Sequence, residues 1–251
     1  MAAARSTPVP FDRPSRVAVL VLENRSYDQV IGNPEAPYLN GLARRYALAT
    51  SDCNACDTEA RSLVGQLDAA RLSWKTHFED LTSNRRPGPK TASYDSHYNP
   101  FVYYEGIRSS ALERSRVVDF DELRSDLRRR ALPRFSWIAP GVLHDGHDGS
   151  LREADRYASE LMPRILRALG PHGVLFVTWD EGARGDWSGV DGTRGGGHVA
   201  LIAAGGDARR EATTAVAANH DALLRTIEAA FGLPPLGHAA DTPLLADLLK
   251  P

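Results

Sequence analysis

Asp180 and Glu181 follow directly on a short apolar run, Val174-Leu175-Phe176-Val177-Thr178, and a Gly-rich stretch, Gly182 to Gly197, then leads to His198. Two adjacent carboxylates in that place can ligate a hard cation, and through it a phosphate. They can equally be the polar residues with which a strand stops at solvent. The same form recurs at Val17 to Leu22 (VAVLVL), which ends in Glu23-Asn24-Arg25-Ser26-Tyr27-Asp28. A third apolar run, Phe135 to Ala139, enters Pro140 to Gly149, where His144, Asp145, His147 and Asp148 are interleaved with Gly. Such a density of imidazole and carboxylate is chemistry of metal or phosphate sites that core packing does not require. His220 falls in the first turn of a later helix, and His97 sits among aromatics in Ser96 to Phe101, where a surface histidine is the simpler reading.

These residues need a scaffold that brings distant stretches to one edge. The run from Val174 lacks polar alternation, which is the pattern of a strand buried on both faces of a parallel sheet. Ligands of open α/β sheets bind beyond the carboxyl ends of the strands, where Glu23 and Asp180 would both fall. Helical spacing is read over Tyr38 to Leu48 and Ser62 to Ala70, with Thr50 to Ala60 as a loop and Leu72 to Phe78 as a short edge strand. Asp119 and Glu122 form an acidic capping pair ahead of a helix whose Arg128, Arg129 and Arg130 suit its carboxyl end and need no anionic partner. Ser150 with Glu153 is a capping box for a helix to Leu169, with a kink expected at Pro163. Asn219 caps a last helix that Gly232 closes.

A chain of 251 residues can bury one large α/β core, and the reading is a flexible arm over 1–16 followed by a single domain over 17–251. Lys and Arg number 30 against 32 Asp and Glu, a formal charge of -2, so nothing in the balance points to nucleic acid. No run has the length of a membrane span and no apolar leader opens the chain, which predicts a soluble, cytoplasmic protein without stable membrane insertion. Cys53 and Cys56 are spaced as a local bridge, a redox pair, two free thiols or half a zinc site, and no second half follows. Neither a GxxxxGK[ST] loop nor a GxSxG elbow occurs.

Taken in order, ENRSYDQVIG (23–32), SHYNPF (96–101), HDGHD (144–148), TWDEG (178–182), GGHVALI (196–202) and NHDALLRTIEAAFGLPPLG (219–237) resemble the motifs of the bacterial phosphoesterase family of acid phosphatases and phospholipase-C-like enzymes. The resemblance runs from about Val17 to Leu249. It implies an alkaline-phosphatase-like α/β/α sandwich with a mostly parallel central sheet, hydrolysing phosphate esters through a hydroxyl nucleophile beside a divalent metal ion. Glu23, Asn24, Asp180 and Glu181 match the family's metal-facing positions, and His147, His198, His220 and His97 match positions lining the pocket. Imidazoles there would be largely cationic below about pH 6.5, adding charge where a phosphoryl group needs it. The implied substrate is a small phosphorylated molecule or a phospholipid head group.

One departure stands out. The family's His-Pro-Ser-Leu-Pro-Asn-Tyr-like segment, which carries the nucleophile, has no counterpart, because Tyr46-Ala47-Leu48-Ala49-Thr50-Ser51 runs straight into Asp52-Cys53. Three outcomes are consistent with that loss: Thr50 or Ser51 replaces the nucleophile, a metal-bound water attacks, or the chain binds phosphate or metal without catalysis. A phospholipase-C-like diesterase is a further alternative. The missing segment should also uncover apolar sheet surface beside the Val17 strand and invite a homodimer.

Overall fold

The apolar runs become the centre of one sheet. A computed structural model of the chain describes residues 8–53, 62–81 and 99–251. In chain order the elements are β1 (Arg16–Leu22), α1 (Tyr27–Val30), α2 (Pro37–Arg45), β2 (Ala47–Cys53), α3 (Leu63–Ala69) and β3 (Trp74–Phe78). There follow α4 (Glu105–Ser109), α5 (Ala111–Arg114), β4 (Val117–Asp119), α6 (Phe120–Arg129), β5 (Phe135–Ala139), α7 (Leu151–Leu169) and β6 (Gly173–Trp179). The chain ends through β7 (His198–Gly205), β8 (Ala212–Thr214), β9 (Ala218–Asn219) and α8 (His220–Phe231).

The strand order is β4-β3-β5-β1-β6-β7-β2-β8, with β9 also on β2. All neighbours pair in parallel except those of β7, which runs against both β6 and β2. This is the mostly parallel α/β sandwich that the resemblance implied. Successive residues of β1 divide between two cores: Val17 and Val19 belong to the one that also holds Leu223 and Ile227 of α8, Ala18, Leu20 and Leu22 to the one that holds Leu161, Met162 and Ile165 of α7. Period-2 alternation against two helical layers explains why the run carries no polar residue.

That packing corrects one expectation. Residues 17–20 and 22 are each at most 1% exposed, so among the described residues no bare apolar surface lies beside the Val17 strand and the motive for a homodimer disappears. The described part of the stretch over 1–16 also contributes to the core, since Phe11 is buried and the Asp12 N–H donates to the Lys250 carbonyl.

Three local readings change as well. The helix expected to Leu48 stops at Arg45, and Ala47–Cys53 is a strand rather than the beginning of a loop. Its modest β propensity is overridden by pairing with β7 on one side and β8 and β9 on the other. β3 is internal, because the short β4 covers the side that would have been an edge. The caps were legible: Asp119 accepts from the N–H groups of Asp121 and Glu122, Ser150 and Glu153 form the capping box, and Asn219 accepts from the Ala222 N–H.

Candidate functional site

The carboxyl edge of the sheet collects the residues singled out above. Leu22 and Trp179 are register partners on neighbouring parallel strands, so the next residue of each strand, Glu23 and Asp180, emerges at the same level of one edge. The Asp180 N–H donates to the Leu22 carbonyl at 3.0 Å, and the Asn24 N–H donates to Asp180 Oδ1 at 3.1 Å. Asn24 has a left-handed backbone, φ 51°, a conformation that asparagine tolerates better than most residues and that accompanies this N–H contact. Its side-chain Nδ2 donates to Glu23 Oε2 at 3.1 Å. From β5 comes Asp145, whose carbonyl accepts the Glu23 N–H at 2.9 Å and whose Oδ1 accepts the His147 N–H at 2.8 Å. His147 Nδ1 stands 3.8 Å from Glu23 Oε2 and 3.8 Å from Asp148 Oδ1.

These acids crowd one another. Burial pushes the Glu23 carboxyl well above its ordinary range, and Asp180 and Asp145 push in the same direction. Asp180 is raised by burial, partly offset by the Asn24 N–H. Asp145, 1% exposed, is pushed up to about 6, first by burial, and its Oδ2 has no hydrogen-bond partner. Buried polar atoms nearly always find a partner, so an orphaned carboxylate oxygen beside two further acids fits a position awaiting a cation. Oxygen donors of this kind suit a hard divalent ion. Among the described residues, however, no three His, Cys, Asp or Glu groups are drawn to metal-holding distances. Glu181 is exposed; its backbone N–H donates to the Asp180 carboxyl and lowers that pKa, while its charge pushes Asp180 and Glu23 up.

The histidines divide in role. His220 opens α8 and its Nε2 lies 3.0 Å from the Asp180 carbonyl. Burial lowers its pKa below the usual histidine value, which favours the neutral ring, and the ring holds the Asp180 turn. His198 reaches the same edge because β7 runs antiparallel to β6 and begins where the loop from Asp180 returns. Its ring stacks on Tyr27 with centroids 4.6 Å apart, and its N–H donates to Asp186 Oδ2 at 3.1 Å. His147, with a side chain 45% exposed, is the imidazole open to a ligand.

Several groups here were not assigned from sequence. Asp145 lay inside the noted HDGHD motif. Asp186 accepts from the Ser26 hydroxyl at 2.8 Å and the Ser188 hydroxyl at 2.5 Å, and despite a rise from burial its pKa is held down to about 2. It thus ties the Gly182–Gly197 loop to the end of β1. The base of that loop needs glycine: a Cβ on Gly197 would meet the Gly182 Cα at 2.8 Å. Glu79, just past β3, takes hydrogen bonds from Tyr157 Oη at 2.7 Å and the Gly141 N–H at 3.0 Å, and lies 2.9 Å from His144 Nδ1. This network steadies the loop that carries Asp145 and His147.

His97 lies outside the described residues, as do the side chains of Thr50 and Ser51. The backbone of β2 still locates the latter two. Ala49 pairs with Leu201 and Asp52 with Val199, so β2 holds one extra residue in a bulge at Thr50 and Ser51, two steps before Cys53 meets His198. Bulges concentrate beside active sites, where they re-aim side chains.

Comparison with known proteins agrees with this geometry. A phosphatidylinositol-3-phosphatase of Mycobacterium tuberculosis is 23% identical over 261 aligned positions, 93% of this chain and 82% of that protein. A probable acid phosphatase of Kluyveromyces lactis is 21% identical over 66% of this chain, which spans only 47% of that protein's length. Among solved structures, a protein of the alkaline phosphatase superfamily from Vibrio parahaemolyticus superposes with a TM-score of 0.60 at 10% identity, covering 90% of this chain and 68% of that one. The model of the Phosphoesterase family matches residues 45–234, and the chain belongs to that family.

Proposed function

We propose that this chain hydrolyses phosphate monoesters of the kind acid phosphatases act on, phosphoinositides or other phospholipid-derived esters among them, at the carboxyl edge of β1, β5 and β6. The observation that carries this reading is the meeting of Glu23 and Asp180 at the ends of adjacent parallel strands, with Asn24 bridging them through its N–H and Nδ2 groups. Support also comes from the family membership and from the phosphatases it resembles. Glu23 and Asp180, with Asn24 and Glu181 beside them, would hold a divalent cation, which supplies neutralising charge for the phosphoryl oxygens. Asn24 and His220 fix the Asp180 loop, and His147 is placed to hydrogen-bond the phosphate and to give a proton to the leaving alkoxide. A hydroxyl on the β2 bulge, Thr50 or Ser51, is the candidate nucleophile.

A second reading, phosphate or metal binding without turnover, is favoured by one observation: the family's nucleophile-bearing segment has no counterpart between Tyr46 and Cys53. The assay that separates them is release of p-nitrophenol from p-nitrophenyl phosphate between acid and alkaline pH, with and without a chelator. Wild type, Asp180→Ala and a Thr50→Ala/Ser51→Ala double variant are compared. Hydrolysis lost in Asp180→Ala supports the catalytic reading, and loss in the double variant assigns the nucleophile to the bulge. Equal background rates in all three would leave only binding. Choline-phosphate diesters as substrates test the phospholipase-C-like alternative.

A further inference from the structure

The opposite edge of the sheet carries charge that phosphate hydrolysis does not use. α6 and α7 both run back from the carboxyl edge, and their final turns meet over a pocket of about 380 Å³ lined by Arg124, Leu127, Arg128, Arg130, Arg164 and Arg167. From sequence, Arg128 to Arg130 looked like ordinary complements to a helix dipole. Tertiary packing changes that reading by setting Arg164 and Arg167 of α7 across from them. The pocket is separated from Asp180 by about the length of β6, seven residues or roughly 20 Å at ~3.3 Å each.

Arginines so gathered are normally interleaved with acids. Within the same run Arg129 is, pairing with Asp126 at 2.9 Å, and it does not line the pocket. Arg124 has Asp121 at 2.7 Å. Among the described residues no carboxylate pairs with Arg128, Arg130, Arg164 or Arg167. Arg130 adds an independent sign. It occupies the left-handed C-cap of α6, φ 52°, where glycine is the unstrained choice. Its side chain lines the pocket at a position where glycine would relieve the backbone.

We propose that this pocket binds a small soluble anion carrying two or more phosphate groups. A single phosphate is satisfied by one or two bidentate guanidiniums, and five around one cavity exceed that need. A lipid surface fits less well, because none of the exposed large hydrophobics, Leu112, Leu143 and Trp187, lines the pocket.

Calorimetric titration of the full chain with inorganic tripolyphosphate, in phosphate-free and metal-free buffer, tests the site without reading hydrolysis. Arg164→Ala and Arg167→Ala, both at exposed positions, should each weaken binding about tenfold or more, as loss of a charge-assisted contact does. Asp180→Ala should bind as wild type, which separates this pocket from the catalytic edge. Arg130→Gly should raise the melting temperature by about 2–4 °C while weakening binding, a divergence that a merely structural arginine would not give. No binding, or equal binding by wild type and the Arg164 and Arg167 variants, overturns the proposal. Arginine-dependent co-sedimentation with phosphatidic acid vesicles, without binding of tripolyphosphate, overturns it in favour of a membrane surface.

Discussion

Two sets of buried carboxylates lie at opposite edges of one sheet, and the chain treats them in opposite ways. At the amino edge Asp126, 1% exposed, has Lys75 Nζ at 2.7 Å, an Arg129 nitrogen at 2.9 Å and His77 Nε2 at 3.5 Å. Burial raises its pKa, yet the hydrogen bonds from His77, Lys75 and Arg129 outweigh that and hold it far below the ordinary value. At the carboxyl edge Glu23 and Asp145 are buried with the half-buried Asp180 beside them, and all three are raised. Equal residue types therefore serve different ends. Where the chain supplies the counter-charge, the acid contributes stability. Where acids gather with His147 as the imidazole 3.8 Å from Glu23, they fit an added cation, and that is the edge proposed above as the functional one.

The comparison can be broken most directly by substitution. Asp180→Ala should cut phosphate monoester hydrolysis by about 10²–10³-fold, the scale on which loss of a preorganised electrostatic partner acts, with folding intact by circular dichroism. Asp126→Ala should do the reverse, costing about 1–3 kcal/mol in urea unfolding, because it removes the charge-assisted hydrogen bonds from Lys75 and Arg129 although Glu122 still pairs with Lys75, while the rate per folded molecule is unchanged. A specific effect of both variants on hydrolysis would dissolve the distinction.

Cations and pH sharpen it. A divalent ion at about a hundred times its dissociation constant should stabilise wild type by about 2.7 kcal/mol, and Asp180→Asn should lose most of that gain in thermal melts. A chelator should return wild type to its starting point. The pH responses have opposite signs. Asp126 is depressed in the folded state, so its contribution is complete above its ordinary value of 3.8 and fades as pH falls below it. Asp145 is raised to about 6, so in cation-free buffer it disfavours folding as pH climbs from 3.8 through about 6. Asp145→Asn should remove its share of that slope, an effect of about 1–2 kcal/mol visible in melts across this range, while the raised Glu23 and Asp180 keep the remainder. An unchanged slope would locate the raised titration elsewhere.

Much of the architecture could be read from residue order because burial on two faces writes itself as unbroken apolar runs. Val17 to Leu22, Phe135 to Ala139, Val174 to Trp179 and Val199 to Ala204 all lie in strands, and the caps at Asp119, Ser150 and Asn219 follow from side-chain chemistry within three residues of each helix start. β4, β8 and β9, two or three residues long, carry no periodicity to detect, and β2 is a strand only because β7 and β8 flank it.

What the order of residues determined by itself was which acids and imidazoles end which strands, since an apolar run and the polar residue closing it are neighbours in sequence. Only the tertiary structure decided which of those groups meet and what charge each keeps. Asp145 is raised, His220 shifted towards its neutral form, Asp126 paired with cations and the arginines of α6 and α7 gathered because burial and pairing depend on distances across the sheet, which separations along the chain do not encode.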